Sequence, residues 1–127
     1  MSTNLHLDSI GQIHLTVEDI DRAVAFYRDV LGMTFLFQVP GQAMAFFDCG
    51  GVRLYLGKAE SPEQRSSPLI YYRVDSLDEA CASLESQGVA LDHQPHVVHK
   101  TDSEELWMAA FKDSEGNSLL MMSEVAI

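Results

Sequence analysis

The sequence contains two copies of one pattern, and this internal repeat limits the possible folds more than any other feature. Residues 13–23 and 70–80 each begin with a short strand pattern that ends at a valine, Val17 or Val74. An acidic pair or Asp-Ser follows, and then an amphipathic helix. A repeat on this scale predicts that the chain is built from two copies of one supersecondary unit.

Helix signals follow the valine in both copies. Apolar residues at helical spacing predict a first helix from about Ile20 to Leu31, with Asp19 as its N-cap and Gly32 as its end. The second helix is predicted to begin after Ser76 and to end at Gly88. The two copies therefore carry matching start and stop signals.

Three strand patterns follow each helix, so each half reads as βαβββ. The halves are predicted as module 1, about residues 10–57, and module 2, about 69–124, joined by a linker of about residues 58–68. The chain is then one α+β domain. The predicted strands after the helices are Thr34–Val39, Ala43–Asp48, Val52–Leu56, Gln94–His99, Leu106–Lys112 and Ser118–Met122.

Charge and composition exclude several classes of protein. The formal net charge of −11 disfavours nucleic acid and anionic membranes as partners. No apolar run reaches the ~18 residues of a membrane helix, and residues 1–9 do not resemble a secretion signal, so a cytoplasmic location is expected. Cys49 and Cys81 form no C-x-x-C motif and are expected to be reduced thiols.

Two sequence runs resemble a known family. The run from His14 to Gly32, with Phe26–Tyr27 and Leu31–Gly32 in its helix, is similar to the first strand and helix of the vicinal oxygen chelate superfamily. The run Phe111–Asn117 is similar to the final hairpin of that family, which includes glyoxalase I, bleomycin-resistance proteins and extradiol dioxygenases. The resemblance covers about residues 10 to 124. It implies a cupped mixed sheet and a homodimer with sites between the subunits.

The resemblance also implies where a metal ion would bind. Metal-dependent members carry ligands at four equivalent places, which are Gln12, Tyr55, Leu69 and Leu120 in this sequence. A divalent metal needs imidazole nitrogen or carboxylate oxygen, and two leucines supply neither. The expectation is therefore that this chain holds no metal or other cofactor there.

Strand alternation predicts which side chains line the cup. Four strands place Arg53 and Arg73 inward without an accompanying Asp or Glu, which favours a neutral or anionic ligand. The alternative is that the arginines pair with acids at the surface. The predicted ligand-binding residues are Gln12, His14, Thr16, Arg53, Tyr55, Tyr71, Arg73, Leu120 and Met122, with Trp107 as a possible aromatic wall.

Histidines are the candidate catalytic groups. His14 is the inward imidazole of the first strand and could be a general base or a hydrogen-bonded cavity histidine. His93, His96 and His99 resemble a metal cluster, but His96 and His99 are three residues apart and would lie on opposite faces of a regular strand. At most one of these three is then expected to face the cup.

These observations favour a metal-free protein that binds a small polar or aromatic molecule. The alternative is a lyase, isomerase or dioxygenase that uses His14 with Gln12 and Tyr55, with or without a non-standard metal site. The residues do not name the ligand and do not decide whether the protein is an enzyme.

Overall fold

The computed structural model describes residues 5–59, 61 and 68–127, and these form two βαβββ modules in tandem. The predicted linker lies largely outside the described residues. In module 1 the elements are β1 (Gln12–Thr16), α1 (Ile20–Ala25), β2 (Thr34–Gln38), β3 (Met44–Cys49) and β4 (Val52–Gly57). In module 2 they are β5 (Ile70–Arg73), α2 (Leu77–Ser86), β6 (Leu91–Lys100), β7 (Glu104–Lys112) and β8 (Ser118–Ala126).

Each module forms its own four-stranded mixed sheet. The strand order is β1-β4-β3-β2 in sheet A and β5-β8-β7-β6 in sheet B. The first strand of each module pairs in parallel with its last strand, and the other pairs are antiparallel. The predicted α+β fold of two repeated modules is confirmed.

Both helices begin where their capping residues predict. The side chain of Asp19 accepts a hydrogen bond from Arg22 N, and the hydroxyl of Ser76 accepts one from Glu79 N. The first helix differs in its second half, since α1 continues as a π-helical turn over Phe26–Val30. Gly32 follows at a φ of +69°, a conformation that glycine adopts without a steric penalty.

One hydrophobic core lies between the two sheets and contains both helices. It joins Leu15 and Phe47 of sheet A with Phe111 and Leu119 of sheet B, all at most 1% exposed. The end of the first helix also lies against Phe111 and α2 around a cavity of about 230 Å³. The sheets therefore pack back to back through the helices, and their other faces are directed outward on opposite sides of the chain.

A buried carboxylate in the β7–β8 turn connects the modules. Asp113 is 6% exposed and accepts hydrogen bonds from the Tyr27 hydroxyl at 2.7 Å and from Asn117 Nδ2 at 2.9 Å. It also accepts the backbone N–H groups of Glu115 and Asn117. Burial, followed by the charge of Asp113, raises the pKa of Tyr27, so this hydroxyl stays protonated as the donor.

Glu115 in the same turn covers the start of α1. Its carboxylate accepts the backbone N–H groups of Glu18 and Asp19, each at 2.8 Å, and pairs with Arg22 at 2.7 Å. Burial acts to raise the pKa of Glu115, but the hydrogen bonds from Asp19, Arg22 and Glu18 outweigh it, and the pKa lies below its usual value. The ionised form is thus the one that the fold stabilises.

The lowered pKa gives Glu115 a specific effect on pH stability. Its contribution should be fully present above the unfolded glutamate pKa of about 4.3 and be lost as the pH falls through the lower folded pKa. In urea unfolding between pH 3 and 7, the stability difference between the unchanged protein and Glu115→Gln should be constant near neutrality and shrink in acid. Glu104→Gln, at the exposed start of β7, is the control. A difference that grows in acid would contradict the prediction.

None of the helices within the described ranges is long and apolar enough to cross a membrane.

Cys49 and Cys81 are free thiols, as expected, and burial raises the pKa of both.

Candidate ligand-binding site

A row of aromatic rings crosses the outward face of sheet A. The row contains one residue from each strand, since His14 is in register with Tyr55, Tyr55 with Phe46, and Phe46 with Phe37. The ring centroids of His14 and Tyr55 are 4.2 Å apart at 12°, and those of Tyr55 and Phe46 are 4.9 Å apart at 15°. Phe37 extends the row at 4.8 Å from Phe46. The four rings therefore form one continuous row, in which Phe37 is 45% exposed, His14 and Tyr55 are half-buried and Phe46 is 8% exposed.

Gly57 allows the Tyr55 ring to take its place in the row. A Cβ atom on Gly57 would lie 2.6 Å from the Tyr55 hydroxyl and 2.7 Å from two of its ring carbons. The two residues lie on the same face because they are two apart in β4. His14 Nε2 lies 3.4 Å from the Gly57 carbonyl oxygen and can donate a hydrogen bond to it. The absence of a side chain at Gly57 thus leaves the space that the Tyr55 ring occupies.

Arg53 lies beside the aromatic row, two residues before Tyr55 on β4 and on the same face of the sheet. Its guanidinium carbon is 5.5 Å from the Phe46 ring centroid, within range of a cation–π contact. Within the described part of the chain, Arg53 forms no ion pair. Gln12 is its register partner on β1, and Asp48 is its partner on β3. The expectation of no inward Asp or Glu covered only β1, β4, β5 and β8, and β3 adds Asp48 to the same face.

Sheet B presents the second half of the predicted site. Tyr71 is in register with Leu120, and Arg73 with Met122. Tyr71 is 45% exposed, so this face is open to solvent. Arg73 Nη2 lies 3.5 Å from Glu124 Oε1, which agrees with the alternative that this arginine pairs with a surface acid. Glu124 lies on the same face of β8 as Met122, so the expectation of no inward carboxylate on these strands was wrong. The predicted strand ended at Met122, whereas β8 continues to Ala126.

All three histidines of β6 lie on the outward face of sheet B, and the expectation of at most one was wrong. His93, His96 and His99 are in register with Ala110, Met108 and Leu106, which alternate regularly along β7. Register shifts between His93 and His96 and between Val97 and His99 supply the extra residues. The rings of His93 and His96 are 6.3 Å apart. Across residues 5–59, 61 and 68–127, no three His, Cys, Asp or Glu side chains form a group that could hold a metal ion.

Trp107 lies on the opposite face of sheet B from the other predicted ligand-binding residues. It is in register with Ser123 and, like Phe111, lies on the helix-facing side of sheet B, where it lines a separate cavity of about 360 Å³ with Glu105. Its indole nitrogen donates a hydrogen bond to Glu105 at 3.2 Å. Thr16 lies on the same face of β1 as His14, because the two are two residues apart, and it is half-buried at the end of the strand.

The four positions at which the resemblance implies metal ligands fall on two different sheets. Gln12 and Tyr55 belong to sheet A, whereas Leu120 belongs to sheet B and Leu69 precedes β5. Since the sheets are back to back, these four residues do not meet within one chain. Leu69 and Leu120 have no lone pairs, so this donor set does not fit a divalent metal wherever the two halves come together.

Sequence reasoning missed Phe37, Phe46 and Gly57. Phe46 could have been placed from the tight turn at Gly50–Gly51, because a two-residue turn fixes Asp48 opposite Arg53 and Phe46 opposite Tyr55. Phe37 could not, because the register between β2 and β3 shifts between Phe35 and Phe37. No sequence signal indicates that Gly57 leaves space for the Tyr55 ring, because that role depends on the orientation of one side chain.

Comparison with known proteins agrees with this architecture. A family model described as the Glyoxalase/Bleomycin resistance protein/Dioxygenase superfamily matches residues 9–121, which include both modules. Catechol-2,3-dioxygenase of Bacillus subtilis (strain 168) is 30% identical over 132 residues, covering 96% of this chain and 44% of that protein. The chain thus spans less than half the length of that relative.

Solved structures share the fold over most of their length. Lactoylglutathione lyase from Agrobacterium tumefaciens is 26% identical with a TM-score of 0.70, covering 91% of this chain and 93% of that one. TnmS3, an antibiotic binding protein from Streptomyces sp. CB03234, is 24% identical with a TM-score of 0.74, covering 94% and 98%. The latter similarity concerns the fold alone.

Proposed function

Because this chain belongs to the glyoxalase/bleomycin resistance protein/dioxygenase superfamily, we propose that it binds a small polar or aromatic molecule without the family's metal ion. The observation that carries the proposal is the ring row of His14, Tyr55, Phe46 and Phe37 on the outward face of sheet A. Aromatic side chains together with a few polar or charged groups are typical of ligand sites. TnmS3, an antibiotic binding protein, is an example of the fold used for binding.

The proposal includes a second copy of the chain. The two candidate faces are directed away from each other, and β1 and β5 are edge strands, each paired on one side only among the described strands. Pairing these edges between two copies would place sheet A of one beside sheet B of the other and satisfy open backbone groups. The cup would then be a composite of Tyr55 and Arg53 from one protomer and residues such as Tyr71 from its partner. Light scattering should give a dimer mass at micromolar concentration, and a monomer mass would contradict this part of the proposal.

Metal analysis tests the proposed chemistry most directly. Purified protein should contain far less than one equivalent of Zn, Ni, Mn or Fe per chain, because Leu69 and Leu120 cannot act as ligands. Leu120→Glu would add a carboxylate at one of those positions and is the matched variant for detecting gained affinity. About one equivalent of tightly bound metal in the unchanged protein would contradict the proposal.

Ligand binding tests the site itself. A thermal-shift screen of neutral, anionic and cationic planar molecules should find compounds that stabilise the unchanged protein, since a ligand that binds only the folded state raises its stability. Tyr55→Leu should weaken this response markedly while keeping the melting temperature within a few degrees. Hits that stabilise Tyr55→Leu equally would place the site elsewhere.

An enzymatic role is the second candidate, and the similarity to catechol-2,3-dioxygenase favours it. His14 would then be the acid–base group, beside Gln12 and Tyr55. A catalysed reaction should be lost in His14→Gln while ligand binding persists. Turnover that survives this change would exclude His14 as the catalytic residue.

A further inference from the structure

The ring row on sheet A turns ring edges outward, with Tyr55 half-buried and a narrow edge of Phe46, which is 8% exposed, at the surface. The centroid spacings of 4.2 and 4.9 Å are close to the separation of neighbouring strands, about 4.8 Å. His14, Tyr55 and Phe46 are therefore stacked in the direction that runs across the strands, with their faces covering one another. Their edges are what a ligand meets, and aromatic edges carry partial positive charge.

A planar ring laid flat on these edges would make edge-to-face contacts. Its π face, which is electron-rich, would meet the positive edges of Tyr55 and Phe46. Such a ligand gains contact with two strands at once. An aliphatic ligand of the same size would lack this attraction between ring face and ring edge.

Arg53 supplies a cation next to the same surface. The Phe46 ring holds its guanidinium 5.5 Å from the ring centroid, and no ion pair within the described residues engages it. The planar fork of a guanidinium matches a carboxylate with two parallel hydrogen bonds. In sheet B, by contrast, Arg73 is already paired with Glu124.

Asp48 is the group that opposes an anion here. It is the register partner of Arg53, although its Oδ1 accepts the backbone N–H of Gly51 at 3.2 Å and so is engaged by the turn. An anionic ligand must therefore bind Arg53 against the field of this one neighbouring carboxylate. Replacing Asp48 is therefore a direct way to determine the sign of the ligand's charge.

We propose that the ligand of this site is a planar aromatic carboxylate, with its ring on the edges of Tyr55 and Phe46 and its carboxylate on Arg53. The inference rests on the proposed function and names the chemical class that the site takes. Gly57 is a positioning residue in this arrangement, because any Cβ at that position displaces the Tyr55 ring.

Three matched probes test the charge preference. Isothermal titration calorimetry of the full chain should give tighter binding of 2-naphthoate than of 2-naphthamide, and weaker binding still of 2-naphthylmethylammonium. Arg53→Ala should weaken 2-naphthoate by about ten-fold or more and leave the amide nearly unchanged. Asp48→Asn should tighten 2-naphthoate, whereas it would weaken a cation.

A double-mutant cycle tests the role of Gly57. Gly57→Ala should weaken 2-naphthoate in the unchanged background and have no further effect in Tyr55→Leu, since the displaced ring is then absent. An equal loss in both backgrounds would show that Gly57 does not act through Tyr55.

The outcomes separate this inference from the proposed function. Equal affinity for naphthoate and naphthamide, or preference for the ammonium probe together with weaker binding to Asp48→Asn, overturns the carboxylate assignment while aromatic binding stands. If none of the three probes binds, the assignment is overturned, and the thermal-shift screen and metal content judge the proposed function independently.

Discussion

Asp113→Ala is expected to lower the melting temperature by about 10 °C or more, corresponding to at least about 3 kcal/mol of stability. The substitution removes the acceptor of four hydrogen bonds, two of them to the backbone of its own turn. It also leaves the Tyr27 hydroxyl buried without this partner, which by itself costs about 1–3 kcal/mol. Because Tyr27 belongs to module 1, the loss should weaken the connection between modules.

Thermal unfolding followed by circular dichroism measures this effect. Asp102→Ala, an exposed aspartate between β6 and β7, is the matched control and should change stability by less than about 0.5 kcal/mol. Tyr27→Phe removes only the donor and should cost less than Asp113→Ala. If Asp113→Ala unfolds at the temperature of the control, the buried carboxylate does not connect the modules as described.

Phe47→Ala is expected to cost about 3–5 kcal/mol, as is usual for removing a fully buried aromatic ring. Phe47 is 0% exposed and contacts Phe35 at 5.4 Å and Tyr27 at 6.0 Å between ring centroids. The cavity left behind would lie between sheet A and the first helix, and it adds to the cost because the surrounding side chains relax only partially.

Phe37→Ala is the control for this prediction, since Phe37 is the 45% exposed end of the ring row. It should reduce stability by less than about 1 kcal/mol and instead affect ligand binding. Urea unfolding at pH 7 distinguishes the two. Equal losses from Phe47→Ala and Phe37→Ala would contradict the assignment of the inner and outer faces of sheet A.

Much of the local structure could be predicted from residue types. Asp19 and Ser76 cap helices because short polar side chains satisfy backbone N–H groups at a helix start. The outward position of His14, Arg53 and Tyr55 follows from strand alternation, which depends only on backbone geometry. The same rule failed for His93, His96 and His99, because irregularities in β6 changed the alternation and sequence does not reveal them.

The repeat at Val17 and Val74 by itself determined the two βαβββ modules and hence the fold class, because each module needs only local signals and its own hydrophobic period. Only the tertiary structure decided that the sheets pack back to back, that Arg53 is unpaired within the described residues while Arg73 binds Glu124, and that Tyr55 rests on Gly57. These features depend on distances between side chains that are remote in sequence or on a single rotamer. Residue order constrains such distances weakly, whereas close packing of one shared core determines them.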